Sequence, residues 1–324
     1  MVSLATLLAE RPHLLVDGAM GTELFARGLT AGDPPEMWNI DMPDAVIDVH
    51  KGYIKAGSDI ILTNSFGGTS FRLKLHNLQD RVFELNKAAA EVGRAAADSS
   101  DRDIVVAGSM GPSGELLVPM GDMTPQTAAE AFAAQAEGLA AGGADVLWIE
   151  TMSSLEEVEA AVAGARSVCA VPVVVTMSFD TAGRTMMGVT GLAAAERLAP
   201  LGLAALGANC GNNVAETEAA VLQLKQGAPD TPIVVKANAG IPEFKGDKLH
   251  YTGTPEVMGA HVKRMMTAGI DVIGGCCGTA TQHVAYMRNV LDAKITPPDI
   301  AAPVSNNPAS PDREAPPRRR RRRS

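Results

Sequence analysis

Two of the four cysteines in this chain, Cys276 and Cys277, stand side by side in the run GGCCGT, between Gly274–Gly275 and Gly278. A disulfide between neighbours is strained, and a plain core position would take Val or Ala. Thiolates are, however, good ligands for zinc, which prefers a tetrahedral set of sulfur and nitrogen atoms. Adjacent residues of a strand point to opposite faces. Both sulfurs can meet one ion only where the backbone turns, and the flanking glycines permit that turn. Cys210, in GANCG, offers a third sulfur. Three protein ligands leave the fourth position open, the arrangement of a catalytic zinc site. Three thiolates around a dication suit a soft fourth ligand such as a substrate thiol. The expected chemistry is therefore on sulfur, through a zinc ion held by Cys210, Cys276 and Cys277. Cys169 reads as a small buried packing residue.

Two carboxylates stand out beside these sulfurs. Asp17 lies in VDGAMG, and Glu150 ends the apolar run DVLWIE. A carboxylate at the end of such a run needs a partner, whereas Asp17 has the alternative of capping a turn. Together they would grip an ammonium group. The backbone N–H groups of Gly18, Ala19 and Met20 form a nest for a carboxylate. These parts would hold an amino acid that carries a thiol.

The elements that must bring these residues together are eight short apolar runs: 14–21, 59–66, 103–112, 145–152, 171–179, 203–211, 232–240 and 271–278. Each ends in Gly, Asn, Thr, Ser or a neighbour of these, and helical stretches separate most of them. SLEEVEAAVAGARSV opens with a Ser N-cap and acids in its first turn. Eight strand–helix units predict an α/β protein, a (β/α)8 TIM barrel over residues 1–296. A doubly wound sheet is the competing reading, but no GxGxxG follows the first strand. In a parallel barrel every strand delivers its C-terminal end to one rim. That rim would gather Asp17, Thr63, Glu150, Asn209 and the three cysteines, with Thr63 and Asn209 as further substrate-contact candidates. Long connections at 180–192 and 241–255 would lie on the same side.

Residues 297–324 are rich in Pro, Ser and Arg and are expected to be a disordered basic tail. Its six-Arg run would act as a solubilising tail or touch RNA or an anionic surface. The formal net charge is −9, and the barrel is more acidic still once the Arg run is set aside, which argues against a nucleic-acid face on it. No run has the length of a membrane span, and the N-terminus lacks the basic start of a signal peptide. A cytoplasmic protein with reduced cysteines is expected.

The motifs DGAMGTEL, GANCG and GGCCGT, in this order, resemble those of the homocysteine S-methyltransferase family, over about residues 10–295. The resemblance implies a zinc ion on Cys210, Cys276 and Cys277. It implies L-homocysteine held by Asp17 and Glu150 through its amino group and by the Gly18–Ala19–Met20 backbone through its carboxylate. The homocysteine sulfur would attack an activated methyl group and give methionine. Glycine betaine is the expected donor. Its quaternary ammonium favours aromatic faces, for which Trp38, Phe66 and Tyr251 are candidates. Gly67 departs from the animal betaine enzymes, which carry Tyr there, and their long C-terminal dimerisation arm has no counterpart. S-Methylmethionine, dimethylsulfoniopropionate or a corrinoid-carried methyl group are alternative donors. The oligomeric state does not follow from the sequence. Two other classes compete: a non-enzymatic zinc–thiolate binding protein that uses the Arg tail, and a metal-free lyase with Lys236 as Schiff-base lysine. Lys236 reads more simply as a residue paired within the barrel.

Overall fold

The computed structural model describes residues 2–245 and 248–302. Eight parallel strands form the central sheet: β1 (Leu14–Leu15), β2 (Ile60–Leu62), β3 (Val105–Met110), β4 (Val146–Met152), β5 (Val173–Met177), β6 (Ala205–Cys210), β7 (Ile233–Ala237) and β10 (Val272–Gly275). Their order is β1-β10-β7-β6-β5-β4-β3-β2, and a parallel bridge from Val16 to Ile60 joins the two ends. The ring is therefore a TIM barrel, and all eight expected strands are present. Helices between the strands form the outer layer.

Alternation along the strands explains the two apolar layers. Leu14, Val16, Ile60, Leu62, Val105, Ala107, Val146, Trp148, Val174, Ala205, Val234 and Val272 pack together inside the barrel. Leu4 and Leu7 join them from the helix Leu4–Glu10, which closes the bottom. The intervening Leu15, Leu147, Ile149, Val173, Val175, Leu206, Val235 and Ile273 pack outward against the helices. Further along the strands, the same parity brings in Ser109, Glu150, Thr176, Asn209 and Lys236, all buried. The barrel interior thus changes from apolar to polar towards the C-terminal rim.

The long connection after β7 carries a feature the sequence did not suggest. It folds into an antiparallel hairpin, β8 (Pro242–Lys245) with β9 (Lys248–Tyr251). Residues 303–324 of the expected basic tail lie outside the described residues. Residues 297–302, assigned by composition to the tail, instead run along the barrel. Arg264 Nη1 donates to Ile300 O at 2.6 Å, and Ala302 packs on the outer core. Among the described residues no helix is long and apolar enough to cross a membrane.

At the opposite end from the cysteines, Asp59 fastens the closure. It is fully buried. Its carboxylate accepts from Leu15 N (2.9 Å) and from Arg11 (2.6 Å), Arg102 (2.7 Å) and Arg288 (3.1 Å). One side chain so ties β1, β2, the approach to β3 and the last helix, Thr281–Leu291. Asp59→Ala leaves three guanidinium groups without their shared partner and should cost about 3–5 kcal/mol of stability. A urea titration followed by circular dichroism measures this, and a loss below about 1 kcal/mol would show that the cluster is only a surface arrangement.

Candidate metal and substrate site

The three rim cysteines converge. Their sulfurs all lie within 4.8 Å of one another, and Cys210 Sγ is 2.8 Å from Cys276 Sγ. β6 ends in Cys210 with φ 58°, followed by Gly211 at 78°. Left-handed backbone at a non-glycine residue costs about 1–3 kcal/mol, and here it turns the sulfur towards β10. Thr151, at the end of β4, also has positive φ, 63°, which is a real outlier for a β-branched residue. Asn209 ties both strained residues together. Its Oδ1 accepts from Thr151 N (2.8 Å) and Thr176 Oγ1 (2.7 Å), and its Nδ2 donates to Thr151 Oγ1 (2.7 Å). The same Nδ2 lies 3.5 Å from Cys210 Sγ and 3.8 Å from Cys276 Sγ. Asn209 therefore orients sulfurs, and its amide is already committed within the protein.

The adjacent pair is aimed by a turn after β10. Cys276 N donates to Ala237 O (2.8 Å) and Thr279 N to Cys276 O (3.1 Å). Asn238 accepts from Cys277 N (3.1 Å) and donates to Gly211 O (2.7 Å), which locks the two cysteine turns to each other. Gly278 has φ 76°, and a Cβ there would lie 2.3 Å from the ring of Tyr251. The glycine is needed both for the turn and for the close approach of the tyrosine. Hydrogen bonds from Cys210 and Cys276 pull the Cys277 thiol well below its ordinary value. Cys169, at the other end of its strand, caps the helix Leu155–Val168, with Sγ donating to Ala165 O.

Below the sulfurs lies a buried charge cluster. Lys236 Nζ is 3.9 Å from Asp17 Oδ1 and 3.8 Å from Glu150 Oε2. Asp17 Oδ2 accepts from Leu62 N (2.7 Å), while Oδ1 is buried and has no hydrogen-bond partner. Glu150 Oε1 accepts from Ser109 Oγ. Burial pushes the Asp17 carboxyl up to about 7, against the opposing pull of Lys236 and the Leu62 N–H. Burial likewise raises Glu150, again opposed by Lys236. For Lys236, burial works against the ammonium, but Glu150 and Asp17 outweigh it and the net shift is upward. The lysine is thus paired within the barrel, as its sequence context implies, and is not placed as a free amine for a Schiff base.

The remaining expected residues fall into two groups. Gly18 sits against Thr279 O and the Tyr53 ring, where a Cβ would be 2.2 Å and 2.9 Å away. Tyr53 Oη donates to Thr279 O (2.9 Å). Ala19 N is spent on Thr279 O (2.9 Å), so the nest expected from Gly18, Ala19 and Met20 lacks its middle donor. Met20 opens the helix Met20–Ala26. Thr63 is buried, its hydroxyl accepting from Ser109 N (3.0 Å) and meeting Ser65 Oγ (2.6 Å). Its position supports the Ser109–Glu150 contact. Of the aromatic candidates, Tyr251 packs its ring against Gly278, next to Cys277. Phe66 leans on Gly111 and is 40% exposed. Trp38 packs on the outer core.

Sequence reasoning missed Glu36. It is buried, and its Oε1 accepts from Gly67 N at 2.7 Å. Asn39 Nδ2 donates to Asn64 O and Asn64 Nδ2 to Pro35 O, so the Trp38 loop is pinned to the end of β2. A Cβ on residue 67 would lie 2.8 Å from Glu36 Oε1, which accounts for glycine there. An acid in a loop carries no signal in sequence; only its burial marks it. Ser109 and Asn238 were equally invisible, because their partners are remote in sequence.

Comparison with known proteins agrees with this geometry. The homocysteine S-methyltransferase profile matches residues 14–291. The chain belongs to that family. It is 32% identical over 283 residues to the methionine synthase of Mycobacterium tuberculosis and 31% identical over 292 residues to that of Mycobacterium leprae. These alignments cover 83% and 86% of the chain but 24% of each relative, so the chain spans about a quarter of the length of these relatives. In structure it resembles the metallated Escherichia coli homocysteine methyltransferase MmuM, with a TM-score of 0.72, 26% identity and coverage of 88% of this chain and 98% of that one. Its cysteine cluster has the residue types and spacing to hold a metal ion. Gly278→Ala should therefore reduce metal retention at least about tenfold while costing about 1–3 kcal/mol. Metal content after dialysis against a graded chelator series is the readout, and retention equal to wild type would mean that the turn does not aim the sulfurs.

Proposed function

We propose that this protein transfers a methyl group to the thiol of L-homocysteine, giving methionine, with a zinc ion on Cys210, Cys276 and Cys277 and glycine betaine as donor. The observation that carries the reading is the joint placement of three convergent sulfurs and, beneath them, a buried carboxylate pair with one unused oxygen, Asp17 Oδ1. Four-coordinate zinc, with Zn–S near 2.3 Å, spaces its sulfurs about 3.8 Å apart. The observed separations, from 2.8 Å to no more than 4.8 Å, bracket that value. When bound, the ion would supply a Lewis-acidic seat at which a substrate thiol is held as its thiolate.

The chain's own residues supply the rest. In this reading the amino group of homocysteine would be held by Asp17 Oδ1, which has no hydrogen-bond partner, and by Glu150 Oε2. Ser109 and the Leu62 N–H fix the other oxygen of each carboxylate, so the two acceptors are preorganised. Methyl transfer is a direct displacement at carbon and needs no general base there. The barrel walls and Tyr251 shield the sulfurs on one side. Tyr251 next to Cys277, with Phe66 and the buried Glu36 on the β2 side, supports a cationic donor. A cytoplasmic location is consistent with this role.

A second reading has a specific observation in its favour. Because the chain matches only about a quarter of each mycobacterial methionine synthase, it would also suit a stand-alone homocysteine module supplied with a corrinoid-bound methyl group by another protein. A donor panel separates the two. Zinc-loaded protein should form methionine from homocysteine and glycine betaine, and Cys210→Ala or Cys277→Ala should lose at least about 10³-fold in rate. Turnover only with S-methylmethionine, dimethylsulfoniopropionate or methylcobalamin reassigns the donor. No turnover with any donor rejects the methyl-transfer reading for the isolated chain.

The carboxylate assignment has its own pH signature. Asp17 ionises at about 7, and only the ionised form attracts an ammonium group. Affinity for L-methionine, whose thioether does not titrate, should rise as pH increases through about 7 and fall below it. In Asp17→Asn this pH dependence should disappear and binding should weaken by about tenfold or more. An unchanged profile in the variant would remove Asp17 from the amino-group subsite.

A further inference from the structure

We propose that Lys236 is a resident competitor for the substrate's ammonium, and so sets how tightly amine-bearing ligands are held and released. This rests on the reading of Asp17 and Glu150 as the amino-group subsite. The lysine is built into the barrel rather than draped over it. It faces inward from β7, 3% exposed, in register with Asn209 on one side and Gly274 on the other. Gly274 makes the room, since a Cβ there would lie 3.3 Å from Lys236 Cγ and 2.6 Å from Val16 Cβ. The ammonium lies 5.8 Å from the centre of the Trp148 ring, so a cation–π contact helps to hold it in a dry position.

Its distances decide the role. At 3.9 Å and 3.8 Å, Nζ is paired in charge with Asp17 Oδ1 and Glu150 Oε2, but it is beyond good hydrogen-bonding distance of either. Asp17 Oδ1 accordingly has no hydrogen-bond partner. Lys236 compensates the cluster in part, yet leaves Asp17 Oδ1 as an acceptor without a partner. A ligand ammonium that takes this oxygen enters within a few ångströms of a like charge, in a place shielded from water. The lysine therefore weakens the grip on any ligand with an ammonium group. Methionine keeps the head group of homocysteine, so the resident cation also helps the product to leave. With an uncharged side chain at 236, two buried carboxylates would lie beside three thiols with no cation.

The test compares L-methionine with its deaminated analogue, 4-(methylthio)butanoate, by calorimetric titration from about pH 7 to about pH 9, which requires no turnover; the upper end serves Lys236→Met, whose carboxylates lose the cation that opposes their burial. In Lys236→Met, L-methionine should bind at least about tenfold tighter while the deaminated analogue changes by less than about twofold. Lys236→Arg keeps the cation and should keep the wild-type ratio. Unchanged or weaker L-methionine binding by folded Lys236→Met overturns the proposal and leaves the subsite assignment standing. If Lys236→Met does not fold, Glu150→Gln/Lys236→Met is compared with Glu150→Gln, and the same tightening is expected; its absence overturns the proposal. Wild-type protein that binds both ligands equally removes the subsite itself, and the proposal with it.

Discussion

The site depends on closure of the parallel ring. Only when β1 meets β2, through the Val16–Ile60 bridge, do eight strand ends share one rim. Sulfurs separated by 66 residues can then come within 2.8 Å. The bottom of the barrel carries the fastening, with the buried Asp59 and its three partly exposed arginines far from the chemistry. The top carries the polar layer. This division frees the C-terminal ends to adopt conformations that a strand ladder would not tolerate.

That freedom is used at Thr151 and Cys210. Both have positive φ without being glycine, and one amide, Asn209, bonds the first and reaches the sulfur of the second. Strain in the backbone is offset by a side chain committed on both oxygen and nitrogen. The charge cluster below follows the same logic. Two carboxylates in a dry interior would be costly, and Lys236 compensates them without occupying the free oxygen of Asp17. Compensation and readiness coexist because the ion pairs are long.

Family membership and the chain's own features bear on different halves of the reaction. The sulfur and carboxylate half uses strand ends, which the barrel holds rigidly. In the proposed reaction the donor half would use the segment after β2 and the hairpin after β7, whereas Trp38 packs on the outer core. After β2, Gly67 N donates to the buried Glu36.

The sequence by itself determined the barrel, because its apolar runs alternate with helical stretches eight times, and strand period and helix caps are local properties. It also singled out the three cysteines and the two carboxylates that the fold brings to one end of the barrel, since glycine-flanked cysteines and an acid ending an apolar strand are unusual enough to read one residue at a time. Tertiary structure alone decided the rest. Asn209 and Thr63 stood among the substrate contacts in sequence, but their polar atoms are consumed by Thr151, Thr176 and Ser109, which lie on other strands. The Ala19 N–H is lost to Thr279 for the same reason. Lys236 showed its pairing character in sequence but not its two partners or the oxygen it leaves free. Hydrogen-bond satisfaction and charge pairing are properties of the space between strands, set by register across the closed ring, and no local pattern encodes them.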